Sequence, residues 1–262
     1  VLDPTMTYSC GIYPHAEATL EEASIEKIDR LCRKLELKPG MRLLEIGTGW
    51  GALAIHAAKE YGAQVTTTTI SQRQAEWAER RFQEEGLGGQ VQLLREDYRK
   101  LEGKFDRIGS VEMIEAIGWQ YFDSYFRVLG ERLEDDGLAA IQAITIADQH
   151  YEEARNSVDF IQKYIFPGCC IPSVSALLQA ATKSSDLKLV GLEDITPHYV
   201  RTLATWRENM FANREQVQAL VLDDRFLRTW DYYFSYCEGG FAEGHIGDVQ
   251  LLFAKPRYEV PA

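Results

Sequence analysis

The stretch Leu43-Leu44-Glu45-Ile46-Gly47-Thr48-Gly49-Trp50-Gly51 limits what this chain can fold into more than any other: an apolar run closes on an acid and then on alternate glycines, and a helical pattern starts at Ala52. The pattern predicts a buried strand, a tight turn and a helix start. Glycine is needed where the backbone takes positive φ or comes close to a ligand, and a helix start presents N–H groups without intrahelical partners. A nucleotide-like ligand suits such a turn. The plain alternative is a strand-to-helix turn that holds nothing.

The chain on either side repeats strand and helix. A helix is expected over about 18–36, with Ile25, Ile28, Leu31, Cys32 and Leu35 facing a sheet, and Pro39-Gly40 stops it. The β-branched run 64–70 reads as a second strand, and Ser71 followed by Gln74 has the capping-box spacing for the next helix. Residues 90–94 and 105–111 give two more strands, 120–133 a helix, and the turn Asp135-Asp136-Gly137 leads into a strand over 138–146. This alternation implies a doubly wound, mostly parallel sheet whose ligand lies at the carboxyl ends of the strands. The order breaks after Ile146: helical patterns dominate 150–222 around one strand near 187–192, so about 147–222 reads as an inserted helical lid. Aromatic-rich helical patterns continue through Trp230, Tyr232, Tyr233, Phe234 and Tyr236, and 249–253 is expected to close the sheet.

A chain of 262 residues with 45% hydrophobic content suits one domain, 1–262, with an elaborated cap. The net charge of −12 speaks against a nucleic-acid partner, which requires a basic face. The five cysteines (Cys10, Cys32, Cys169, Cys170, Cys237) lack zinc spacing, so no metal is expected and reduced thiols in a cytoplasmic protein are the default. No apolar run reaches transmembrane length, which leaves peripheral contact as the expected relation to a membrane.

The glycines alone do not separate two ligand classes, because Gly47, Gly49 and Ala52 also satisfy the dinucleotide pattern G-x-G-x-x-A. Two residue choices favour a methyltransferase over a nicotinamide dehydrogenase. Glu45 ends the first strand, where a carboxylate suits the cationic groups of S-adenosylmethionine (SAM), and the second strand ends in Thr and Ser rather than in the acid that takes ribose hydroxyls. Four islands then sharpen the reading: Met6-Thr7-Tyr8-Ser9-Cys10, Val111-Glu112-Met113-Ile114-Glu115, Tyr164-Ile165-Phe166-Pro167-Gly168 and His198-Tyr199-Val200-Arg201-Thr202-Leu203. In that order around the glycine turn they resemble the cyclopropane fatty acid synthase and mycolic acid cyclopropane synthase family of SAM-dependent methyltransferases, over nearly the whole chain. The Tyr164–Gly168 island is nearer the phospholipid-acting branch, whose full-length members carry an additional N-terminal domain. Such a domain is expected to be absent from this chain, which starts at Val1 without an initiator Met.

The resemblance implies a Rossmann-like SAM-dependent methyltransferase fold and a methyl transfer from SAM to the double bond of an unsaturated acyl chain. It implies cofactor contacts from Tyr8, Ser9, Gly47, Gly49, Thr69 and Gln74, with Glu45 beside them and adenine against Asp97 and Tyr98. It further implies a bicarbonate that deprotonates the product cation, held by Cys10, Glu115, Tyr199 and positions 142 and 144. Ile144 would act through its backbone. Gln142 stands where the family has His; an amide can still donate to an anion but carries neither proton nor charge. Each of these residues also has a plain reading, Cys10 as a small buried hydrophobe and Gln142 as an ordinary strand residue. The expected partners are unsaturated phospholipid acyl chains met at a transient, peripheral membrane contact, with a homodimer left open. A sister lipid C-methyltransferase giving a methyl- or methylene-branched chain and an amine N-methyltransferase of the same fold are the alternatives.

Overall fold

The computed structural model describes residues 1–220 and 223–259. In chain order its elements are α1 (Leu20–Lys34), β1 (Arg42–Ile46), α2 (Ala52–Tyr61), β2 (Gln64–Thr68), α3 (Gln72–Glu84), β3 (Val91–Leu94), β4 (Phe105–Val111), α4 (Phe122–Arg132) and β5 (Leu133–Ile146). There follow α5 (Asp148–Arg155), α6 (Phe160–Tyr164), α7 (Val174–Ser184), β6 (Lys188–Asp194), α8 (Thr196–Ala212), α9 (Arg214–Ala219), α10 (Asp224–Ala242) and β7 (Ile246–Ala254). The strands form one seven-stranded sheet in the order β3-β2-β1-β4-β5-β7-β6, parallel except that β7 runs antiparallel to both its neighbours. The expected doubly wound, mostly parallel sheet is the one observed. Its order reverses between β1 and β4, which places the ligand-binding crevice of such sheets at Ile46 and Val111.

Local chemistry explains the element ends. Thr19 caps α1 in a full capping box with Glu22. Ser71 caps α3 through the Gln74 N–H, but Gln74 does not return the bond; its side-chain oxygen accepts from the Thr69 hydroxyl at 3.0 Å. Two expected boundaries shift. The second strand ends at Thr68, and Ile70 is exposed; Asp135-Asp136-Gly137 lie inside β5, as a bulge where the register steps from Phe105↔Leu133 to Arg107↔Leu138. On α1 the buried stripe is Leu20, Ala23, Ser24, Lys27, Ile28, Leu31 and Cys32; Ile25 faces solvent instead of the sheet.

The stretch 147–222 divides. Its end, residues 221–222, lies outside the described residues. Within it, β6 is an edge strand of the sheet and α7 packs on α4, so both belong to the sheet layers. Helix α8, by contrast, packs on α10 and with the N-terminal loop builds a separate apolar cluster around Cys10, Tyr199, Trp206, Tyr233, Phe234 and Phe241. That cluster roofs the carboxyl ends of the central strands.

The alternate glycines have different reasons. Gly51 takes φ of 91° at the start of α2, and a Cβ there would lie 2.9 Å from the Phe82 ring of α3. Gly49 takes φ of 53° with nothing within 4 Å of a Cβ, so its small size leaves room rather than allowing packing. Gly51→Ala is therefore expected to cost roughly 2–4 kcal/mol, the sum of left-handed strain and displacement of a packed ring. Urea denaturation read by circular dichroism measures it.

Candidate functional site

The glycine turn is held by its own strands. The Gly47 and Thr48 N–H groups both donate to the Thr68 carbonyl, at 3.1 and 3.0 Å, so the turn bends across the end of β2. Glu45 beneath it is buried and accepts from the Thr67 hydroxyl at 2.5 Å, and Thr67 in turn bonds Thr48 at 2.7 Å. Burial pushes the Glu45 carboxyl up to about 8, opposed by the Thr67 bond and the Lys27 charge. Around the turn the Thr69–Gln74 pair closes one side, while Tyr98 keeps a buried hydroxyl with no partner. These features fit SAM: room beside Gly49, a buried carboxyl on the approach and an unspent phenol. Asp97 accepts from the Arg99 guanidinium at 2.6 and 2.9 Å, one bond on each oxygen, which leaves a lone pair on Oδ2 for a further donor. Tyr8 stacks on Trp206 with ring centroids 4.9 Å apart and bonds Tyr233 at 3.0 Å, and Ser9 accepts from the buried Lys27 ammonium at 2.8 Å.

The second centre lies beside the first, at the ends of β4 and β5. Pairing puts Gln142 of β5 opposite Gln250 of β7 and Gln250 opposite Glu193 of β6, so one polar stripe crosses three strands, and it puts Val111 opposite Gln142, which sets the end of β4 beside that stripe. Chain alternation brings Leu138, Ala140 and Gln142 to the same side, and α1 covers it. Lys34 donates to the Gln250 amide oxygen at 2.7 Å, and Gln250 donates to Gln142 at 3.0 Å. With its oxygen so occupied, Gln142 turns its NH2 group toward two acids: Glu112 at 2.8 Å and Asp248 at 3.1 Å.

The structure does bring Cys10, Gln142 and Tyr199 together, but around Glu112. The Glu112 carboxylate accepts from the Cys10 backbone N–H at 2.8 Å and Gln142 on one oxygen, and from the Tyr199 hydroxyl at 2.6 Å on the other. Glu115 stands apart from these three. It is buried, one oxygen accepts from the Ile144 N–H, and the other has no partner. Bicarbonate does not fit among these side chains as they stand, since three of the donors expected to hold it already end on Glu112. This corrects the expected anion site.

Charge is distributed unevenly here. Burial and then the nearby Glu112 charge push Glu115 up to about 8, and the same two causes, in that order, hold Asp248 well above the usual carboxylate range. Both shifts favour the neutral acid at Glu115 and Asp248, whereas the three donors that converge on Glu112 suit a carboxylate. Lys27, whose ammonium is disfavoured by burial, is sustained by Glu112 first among its acidic neighbours.

Sequence reasoning missed Glu112, Lys27 and Asp248 as members of the site. Glu112 had one signal, an acid directly after a strand end beside a Gln where His was expected. Lys27 had another, a charge three and four residues from Ala23, Ser24 and Leu31 on an apolar stripe.

A carboxyl raised from 4.5 to about 8 by folding binds its proton more tightly in the native state. Glu45 and Glu115 therefore contribute stability that is complete below about pH 4.5 and is lost as pH rises through about 8. The melting temperature should fall between about pH 4.5 and pH 8, and Glu45→Gln should flatten part of that decline. Calorimetric melts across the range check both.

Comparison with known proteins identifies the family. The family model described as mycolic acid cyclopropane synthetase matches residues 1–251. Tuberculostearic acid methyltransferase of Mycobacterium tuberculosis is 38% identical over 256 residues, 95% of this chain and 60% of that protein. Cyclopropane-fatty-acyl-phospholipid synthase of Escherichia coli is 37% identical over 255 residues, 97% of this chain and 64% of that protein. The chain thus spans less than two thirds of the length of either relative. Among solved structures, a cyclopropane synthase from Mycobacterium tuberculosis superimposes with a TM-score of 0.90 at 30% identity, over 97% of this chain and 92% of that one. A mycolic acid cyclopropane synthase complexed with SAH and CTAB gives the same TM-score, identity and coverage. With the family match running through almost every described residue and the SAM-dependent methyltransferase fold around it, the chain belongs to the mycolic acid cyclopropane synthetase family.

Proposed function

We propose that this protein is a SAM-dependent methyltransferase that modifies the double bond of an unsaturated acyl chain in a membrane phospholipid, giving a cyclopropane ring. The observation that carries the reading is the juxtaposition of the open glycine turn with a negative carboxylate under an aromatic roof. When bound, SAM supplies an electrophilic methyl group on a sulfonium. An alkene is a weak nucleophile and the product of attack is a carbocation, so the chain's own residues must exclude water, stabilise positive charge and remove a proton. The roof suits the first two tasks. Tyr199 stacks on Phe241 at 4.3 Å and Tyr8 on Trp206 at 4.9 Å, and each ring face near a cation contributes roughly 0.5–2 kcal/mol.

A second product is supported by the 38% identity to a protein named tuberculostearic acid methyltransferase. The same cation yields a methyl- or methylene-branched chain if it is resolved without ring closure. Gly49→Val should abolish SAM binding, because a β-branched side chain opposes positive φ and fills the space beside the turn. Titration calorimetry measures that loss. Mass spectrometry and NMR of lipids from cells fed labelled methionine identify the acceptor and distinguish ring from branch; labelling of soluble amines alone would transfer the assignment to an N-methyltransferase.

The route for lipid follows from the exposed apolar residues. Tyr164 and Phe166 line a crevice with Phe226 and Trp230 of α10, and Tyr232 and Tyr236 on the same helix also face solvent. Among the described residues no helix is long and apolar enough to cross a membrane. We infer a peripheral contact made by these aromatic side chains, with little help from a chain of net charge −12. Flotation with liposomes should accordingly change little between low and high salt, and Tyr164→Ser with Phe166→Ser should weaken it.

A further inference from the structure

Glu112 is the point on which the polar groups of the second centre converge. It is not a passive strand residue. Its φ of 46° lies in the left-handed region, a conformation that costs a non-glycine residue about 1–2 kcal/mol and that persists only where the surroundings over-determine it. What over-determines it is visible: the N-terminal loop through the Cys10 N–H, β5 through Gln142 and α8 through the Tyr199 hydroxyl. Its own N–H is spent on the Gln142 carbonyl at 2.8 Å, which fixes the backbone that aims the side chain.

We propose that the Glu112 carboxylate is the built-in general base of the reaction, occupying the place of a dissolved anion, so that turnover needs no bicarbonate. The inference rests on the lipid-methylation reading above. In the step it serves, the alkene π pair has formed the bond to the added methyl, the sulfur has kept the pair of the broken S–C bond, and the neighbouring carbon is cationic. A Glu112 oxygen takes one proton from the added methyl. The C–H pair closes the ring onto the cationic carbon, Glu112 is left as the neutral acid, and its proton passes to water when product leaves.

The surroundings suit that role better than they suit Glu115. Glu115 is turned to the Ile144 N–H and Asp248 lies behind Gln142, burial raises both toward the neutral acid, and the Lys34–Gln250–Gln142 relay keeps an amide N–H donating to the Glu112 oxygen. Gln142 also acquires a reason: a carboxylate fixed in the chain needs a neutral donor held in one orientation, which an amide locked by Gln250 provides.

The test is Glu112→Gly, which relieves the backbone strain and removes the carboxylate while leaving its donors in place. SAH calorimetry first establishes that the variant is folded and loads the cofactor product. In carbonate-free buffer the wild type should turn over at its full rate, whereas the variant should lose roughly 100-fold or more, the scale of a missing general base. Added bicarbonate or formate should restore the variant saturably and leave the wild type unchanged. A wild type that slows severalfold without bicarbonate, or a variant that is fast without any added anion, overturns the proposal. Bicarbonate titrated into the SAH-loaded proteins gives a readout independent of turnover: heat with the variant alone supports the proposal, and binding to the wild type or to neither defeats it. If the wild type methylates no unsaturated phospholipid, the function reading fails while this titration still decides the anion site.

Discussion

A negative charge held by the Cys10 N–H, Gln142 and Tyr199 ties the catalytic end of the molecule together. Each hydrogen bond to an ionised group is worth about 1.5–3 kcal/mol, and Glu112 collects three of them at a half-buried position. The three donors come from the N-terminal loop, the sheet and the cap, so the carboxylate of Glu112 joins parts of the chain far apart in sequence. It also acts on its neighbours: burial first and Glu112 second raise Glu115 and Asp248, while Glu112 partly offsets the burial that lowers Lys27.

The cofactor side depends on a different constraint, the bend of the backbone at the end of β1. Gly51 is small because Phe82 packs against it, and Gly49 is small where no protein atom lies near. One glycine serves helix packing and the other serves a ligand, although the sequence presents them as one motif. The hydroxyl ladder of Thr48 and Thr67 onto Glu45 holds the acid under the turn. The topological switch between β1 and β4 then sets this turn beside the Glu112 centre, with Ser110 of β4 bonded to the Ile46 carbonyl at 2.9 Å to lock the two strand ends.

The cap owes its form to aromatic packing. Trp206 is fully buried between Tyr8, Tyr199 and Phe234, so α8, α10 and the N-terminal loop share one apolar cluster over the polar centre. Phe160 of α6 meets Tyr232 of α10 edge-on at 4.6 Å, which extends the same packing to the exposed rim. A roof of this kind excludes water and offers ring faces to positive charge, both of which a reaction through a carbocation requires.

The sequence by itself determined the parts that depend on near neighbours. Periodicity located the helices and strands, the glycine turn located the ligand end of the sheet, and the motif islands carried the family, because hydrophobic alternation and turn chemistry are written within a few residues. Position shifts at Ile70 and at Asp135–Gly137 arose where pairing with another strand overrode local preference. The identity of the group at the centre was decided only by the tertiary structure. In sequence Glu115 and Glu112 are two acids of one island, and nothing local tells which meets Cys10, Gln142 and Tyr199. That choice comes from β4–β5–β7 register, which sets Gln142 between Val111 and Gln250, and from the left-handed turn at Glu112 that swings one carboxylate into the donors and leaves the other against the Ile144 N–H. The pairing of Asp97 with Arg99 is likewise a matter of loop geometry that residue type does not encode. Hydrogen-bond partners separated by 30 to 132 residues are selected by the packing of whole elements, and a linear pattern contains no term for that.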